Sequence, residues 1–124
     1  MRRIWVVDDE QDVQTLFQQR FRREIRRGDV HLVFSISAES ALEQLNQTDA
    51  DALPAVILSD INMPGMDGLE FLRLIKANFA DLKVIMVTAY HDDQTYHLAM
   101  DSGADGYINK PIQFDSLKQT ILNL

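Results

Sequence analysis

Ile4-Trp5-Val6-Val7-Asp8-Asp9-Glu10 is an apolar run that passes directly into three acids. Four unbroken apolar residues read as a strand buried on both faces. The acids then stand at the strand's carboxyl end. Ala55-Val56-Ile57-Leu58-Ser59 has the same shape and ends at Asp60, and Val84-Ile85-Met86-Val87 ends at Thr88. Tyr107-Ile108 is a shorter version, closed by Lys110-Pro111. Val30 to Ile36 alternates more than the others and suits an edge strand.

Helical spacing fills the gaps. Asp9 to Arg27 carries Val13, Leu16, Phe17, Phe21 and Ile25 on one side. Acids at its start and arginines at its end suit the helix dipole, and Gly28-Asp29 stops it. Ser37 is placed to cap a helix over Ala38 to Gln47, with Ala41, Leu42 and Leu45 inward. Thr48 to Pro54 reads as a polar loop, and Met63-Pro64-Gly65-Met66-Asp67-Gly68 as a turn. Helices follow over Leu69 to Phe79 and Asp92 to Asp101, and Phe114, Leu117, Ile121 and Leu124 mark a last one. Trp5 and the six phenylalanines are expected in the core. Five strand–helix units imply an α/β fold, a parallel sheet with helices on both faces.

Composition sets the outer limits. The 124 residues fit a single domain over 1–124, and 46% apolar with 25% charged is ordinary for a folded chain. Nineteen acids against twelve bases give a net charge of −7, which argues against direct nucleic-acid or anionic-membrane binding. The absence of cysteine removes disulfides, thiol nucleophiles and cysteine zinc sites. The longest apolar runs fall far short of the ~18 residues a membrane span needs. The N-terminus does not read as a signal peptide, so a soluble cytoplasmic protein is expected. The charge is uneven: residues 1–27 hold seven bases and five acids, and the remainder five bases and fourteen acids. The arginine run Arg20 to Arg27 reads as a solvated helix end with the option of docking a partner. His31, His91 and His97 lack ligand spacing and read as surface residues.

In a parallel α/β sheet, ligands bind at the carboxyl ends of the strands. There the fold would gather Asp8, Asp9 and Asp60 with the Thr88 hydroxyl and the Lys110 ammonium. Clustered carboxylates repel one another and favour a cation. Hard oxygen donors suit Mg²⁺, which shares phosphate oxygens. An ammonium and a hydroxyl opposite would grip the remaining phosphate oxygens. The residues therefore read as a Mg²⁺-assisted phosphoryl-transfer site with an aspartate available as nucleophile.

Four segments then carry a resemblance. Val6-Val7-Asp8-Asp9-Glu10, Ser59 to Gly68, Thr88-Ala89 and Gly103-Ala104-Asp105-Gly106-Tyr107-Ile108-Asn109-Lys110-Pro111 are similar to the motifs of response-regulator receiver domains of two-component signalling. The likeness covers essentially the whole chain, and no catalytic position is missing. It implies a flavodoxin-like, doubly wound fold of five parallel strands in the order 2-1-3-4-5. It implies Asp60 as phospho-acceptor, with Asp9 and the Asn62 backbone carbonyl on Mg²⁺ (or Mn²⁺) and Asp8 acting mainly through bound water. Lys110 would pair with Asp60 and then with the phosphoryl group, whose oxygens Thr88 and the Ala89 N–H would hold. Thr88 and Tyr107 would form the switch, repacking the face of the fourth helix, fifth strand and fifth helix. The Lys110-Pro111 bond would be cis. Asn62 and Tyr90, two residues beyond Asp60 and Thr88, would flank the attacking water and tune phosphoryl lifetime.

The implied partners are a histidine kinase or phosphotransfer protein and a homodimer on phosphorylation, and the output is either that of a stand-alone regulator or of a C-terminal effector domain outside this chain. The resemblance implies a switch rather than a turnover enzyme. A phosphohydrolase of the haloacid-dehalogenase type would want an aspartate where Asn62 stands. A flavodoxin-like FMN binder would not place Asp-Asp-Glu against a phosphate. A P-loop enzyme would need a Gly-x-x-x-x-Gly-Lys segment that the chain lacks.

Overall fold

The apolar runs become strands in the computed structural model, which describes residues 2–89 and 92–124. They are β1 (Arg2–Val7), β2 (Val30–Ser35), β3 (Val56–Asp60), β4 (Lys83–Thr88) and β5 (Gly106–Asn109). All pair in parallel, in the order β2-β1-β3-β4-β5. The alternating strand is at an edge, as its pattern predicts, and the central β3 is buried along its whole length.

Successive side chains of a strand point to opposite faces, and the two faces of this sheet hold separate cores. Trp5, Val7, Ile57, Val84 and Met86 share one face. They pack against α3 (Ala38–Asn46), α4 (Gly68–Asn78) and α5 (Asp93–Asp101) through Leu45, Phe71, Ile75 and Ala99. Ile4, Val6, Leu58, Ile85 and Val87 face the other way. They meet Phe17 of α1 (Gln11–Arg20), Phe21, and Phe114, Leu117 and Ile121 of α6 (Phe114–Leu122). Burying both faces under helices explains why the strands read as apolar runs.

The first predicted helix is interrupted. Its second part, α2 (Arg22–Arg26), is separated from α1 by Phe21, whose φ of −100° and ψ of 12° leave the helical basin. The Phe21 ring stacks parallel to Phe17 with centroids 5.9 Å apart and meets Phe114 edge-on at 6.2 Å. This aromatic packing fixes Phe21 and turns the next residues outward, leaving Ile25 39% exposed rather than inward as its spacing suggests. Leu16 is likewise partly exposed, and Leu124 lies beyond α6 in solvent. Ser37 caps α3, its Oγ accepting the Ser40 N–H at 3.1 Å. The loop before β3 contains one short 3₁₀ turn, Ala50–Ala52. No helix among the described residues is long and apolar enough to cross a membrane.

Candidate functional site

Each residue of the predicted rim stands where a strand runs out. Asp8 follows β1, Asp60 ends β3, Thr88 ends β4 and Lys110 follows β5. The sheet order reverses between β1 and β3, so a crevice opens above those two strands. Their register sets Val7 beside Ser59, which brings Asp8 and Asp60 to the same height.

The acids converge. Carboxylate oxygens of Asp8, Asp9 and Asp60 lie within 4.8 Å of one another, Asp8 and Asp60 buried and Asp9 exposed. Lys110 Nζ donates to Asp8 Oδ2 at 3.1 Å and to Asp60 Oδ2 at 3.4 Å. The Glu10 N–H donates to Asp8 Oδ1 at 3.0 Å, and the Asn62 N–H to the Asp60 carboxylate. Burial pushes the Asp60 carboxyl up, Lys110 pulls it down and Asp8 pushes it up again, leaving it above the ordinary aspartate range. Burial works against the Lys110 ammonium, but Asp8 and Asp60 outweigh it and hold the group above the usual lysine value. Three carboxylates against one ammonium form an all-oxygen donor set with surplus negative charge, which fits a hard divalent cation such as Mg²⁺.

The loop after Asp60 is held from both ends. The Gly68 N–H donates to the Ile61 carbonyl at 2.8 Å. Asp67 caps α4, its Oδ1 accepting the Glu70 N–H at 2.9 Å. A Cβ on Gly68 would stand 2.1 Å from the Asp60 carbonyl oxygen, so only glycine lets α4 start this close to β3.

The β4–β5 ladder gathers the remaining groups. The Lys110 N–H donates to the Thr88 carbonyl at 2.7 Å, placing Lys110 and the buried Thr88 side by side. Ala89 is exposed just beyond. The Lys110-Pro111 bond is cis. Tyr107 is half-buried on β5, edge-on to Tyr96 of α5 with centroids 5.2 Å apart. Burial, with Asp92 assisting, raises its phenol. Tyr90 and His91 lie outside the described residues. His31 and His97 are exposed and apart from the acid cluster.

Sequence reasoning assigned no role to three residues here. Tyr96 meets Tyr107. Gly68 permits the close approach of α4. Asp105 ties the start of β5 to its surroundings, accepting from the Val84 N–H at 2.8 Å and Lys76 Nζ at 2.7 Å. Gly68 and Asp105 lie inside the motif segments, which marked their importance without their partners. Tyr96 carried no signal, because its contact is set by how α5 docks.

Comparison with known proteins agrees with this arrangement. A family model described as the response regulator receiver domain matches residues 4–122. The DNA-binding transcriptional regulator NtrC of Proteus hauseri is 37% identical over 112 residues, 90% of this chain and 22% of that protein. The C4-dicarboxylate transport transcriptional regulatory protein DctD of Rhizobium meliloti is 35% identical over 118 residues, 94% of this chain and 24% of that protein. The chain thus spans about a quarter of the length of these curated relatives. Among solved structures, a response regulator receiver domain protein from Clostridium thermocellum superposes with a TM-score of 0.86 at 25% identity, covering 99% of this chain and 93% of that one. The response regulator TrrA from Thermotoga maritima, in complex with Mg²⁺-BeF, gives 0.80 at 30% identity, covering 99% and 98%. Five parallel strands in the order 2-1-3-4-5, the rim at their carboxyl ends and the family match lead to one conclusion: the chain belongs to the response regulator receiver domain family of two-component signalling.

Proposed function

We propose that residues 1–124 act as one phosphorylation switch in which Asp60 accepts a phosphoryl group from a phosphohistidine on a histidine kinase or phosphotransfer protein. The observation that carries this reading is the convergence of Asp8, Asp9 and Asp60 with Lys110 at the end of β3. An Asp60 carboxylate oxygen forms the new P–O bond as the donor's P–N bond breaks, and the departing imidazole nitrogen takes a proton from solvent. Positioning and charge stabilisation are the main demands of such a transfer. Asp8, Asp9, Asp60 and the Asn62 backbone carbonyl would hold Mg²⁺ or Mn²⁺, Asp8 mainly through water. The cation supplies neutralisation of the phosphoryl oxygens. Lys110 shifts from the Asp60 carboxylate to a phosphoryl oxygen, and the Thr88 hydroxyl and Ala89 N–H hold the others.

An acyl phosphate adds charge and acceptor oxygens within reach of Thr88. Drawing Thr88 toward it opens space beside Tyr107, whose ring leaves Tyr96 and repacks the face of α5, β5 and α6. That face, homodimerisation through it and a C-terminal effector domain in a longer protein are the outputs of this reading. Asn62 and Tyr90 tune the lifetime of the product by screening the attacking water. A cytoplasmic site of action accompanies a kinase donor.

Incubation with a small phosphodonor and Mg²⁺, followed by intact mass measurement, tests the reading. One phosphoryl adduct is expected, dependent on Mg²⁺ and missing in Asp60→Asn, and shorter-lived in Tyr90→Ala. An adduct of equal yield in Asp60→Asn rules out the assignment.

A further inference from the structure

At the other end of the molecule the charge reverses. Arg20, Arg22, Arg23, Arg26 and Arg27 fall within eight residues of a chain whose net charge is −7. The one acid among them, Glu24, is engaged by Lys118, with 3.0 Å between Nζ and Oε2. Among the described residues none of the five arginines forms an ion pair with a carboxylate. The helix dipole rewards a cation in the last turn, which accounts for one or two of them and not for five.

The patch is concave. A cavity of about 550 Å³ has Arg22, Arg23, Arg26, Arg27 and Lys118 among its lining residues, with Glu24 its one acid. A second, of about 460 Å³, shares Glu24, Arg27 and Lys118, adds Asp29, and has Leu122 over the buried Phe21 and Ile121. Leu122 is 58% exposed there, an apolar side chain left in water at the edge of a cationic rim. The combination is amphipathic: guanidinium groups that grip carboxylates in bidentate fashion, beside the exposed apolar Leu122.

We infer that this α1–α2–α6 surface docks a short segment of a partner protein in which acidic and apolar side chains are interleaved. Charge complementarity selects the acids, and the exposed Leu122, seated over the buried Phe21, Val30 and Ile121, selects the apolar residues. A duplex or a bilayer is a poorer fit, because each extends past the patch onto a chain that carries fourteen acids and five bases over residues 28–124. The surface lies near Arg2, where β1 begins, and Asp8 lies where β1 ends. The six residues of that strand separate the two by about 20 Å. A docked segment therefore leaves Asp60 open to its phosphodonor.

The test is fluorescence anisotropy with a labelled peptide in which glutamates alternate with leucine and phenylalanine. Saturable binding that weakens with added salt is expected. It should weaken about tenfold in Arg23→Gln/Arg27→Gln, in line with the loss of two charge contacts. The double variant should remain folded with at most a small drop in melting temperature, and should keep its uptake of phosphoryl groups from a small phosphodonor, since neither arginine approaches Asp60. A peptide with glutamine in place of glutamate, or serine in place of the apolar residues, should bind markedly less. No binding of the acidic peptide, or equal binding to the double variant, overturns the inference. Tighter binding of a single-stranded oligonucleotide or of phosphatidylglycerol vesicles than of the peptide also overturns it, in favour of those partners.

Discussion

Asp60 is held as much by the backbone around it as by Lys110. Its carbonyl oxygen lies 2.1 Å from where a Cβ of residue 68 would be, and that hypothetical Cβ would also come within 2.7 Å of the Ile61 Cα. Both obstacles are backbone, so a side chain cannot relieve the clash by changing rotamer. Gly68→Ala should therefore push α4 away from β3 and cost about 1–3 kcal/mol. A lower urea midpoint with an unchanged slope is expected, and an unshifted midpoint would show that the junction yields freely. At this scale the sequence was informative about identity and poor on contacts. Asp8, Asp9, Asp60, Thr88 and Lys110 could be named because each interrupts or follows an apolar run. The Tyr96–Tyr107 ring contact could not, because it depends on how α5 sits against β5.

The elements were legible where one force dominated. The strands are apolar runs because both faces of the sheet are covered, and the caps of α3 and α4 are the expected Ser37 and an Asp67 in a turn-rich loop. The first helix was misread through Phe21, since Phe17, Phe21 and Ile25 keep helical spacing while aromatic packing breaks the backbone between them. The interrupted helix is tied to α6 by Glu24 and Lys118, and Lys118 Nζ also lies 5.2 Å from the Phe21 ring centroid. Burial raises the Glu24 carboxyl, but Lys118, the residue's own backbone N–H and Arg23 bring it below the ordinary value. A carboxyl lowered on folding stabilises above its unfolded pKa, and that contribution disappears as pH falls through the folded value. Glu24→Gln should thus be less stable than the parent at neutral pH by about 0.2–1 kcal/mol. The gap should close on acidification, while the ring contact of Lys118 persists in both. Denaturant titrations at several pH values read this directly, and a gap that widens in acid would contradict the pairing.

Over the whole molecule, net charge conceals two opposite ends. Asp8, Asp9 and Asp60 crowd one end of the sheet against Lys110, and the arginines of α1 and α2 occupy the other. Separation by strand direction was implicit in the sequence once a parallel sheet was inferred, because parallel strands send all their carboxyl ends one way. The concavity at the basic end was not, since it depends on how the arginine-bearing segment packs beside Lys118 of α6. Crowded carboxylates oppose folding until a cation binds, so Mg²⁺ should raise the melting temperature through its preference for the folded state. The gain is about 2.7 kcal/mol at roughly 100 times the dissociation constant. Asp9→Ala should lose most of that shift, and equal shifts in variant and parent would remove Asp9 from the metal site. The central claim, that Asp60 carries the phosphoryl group, is tested most directly by trapping the product. Borohydride reduces an aspartyl phosphate to homoserine. After treatment with a small phosphodonor and Mg²⁺, peptide mapping should find homoserine at position 60 alone. Homoserine at position 8 or 9, or none anywhere, would contradict the account.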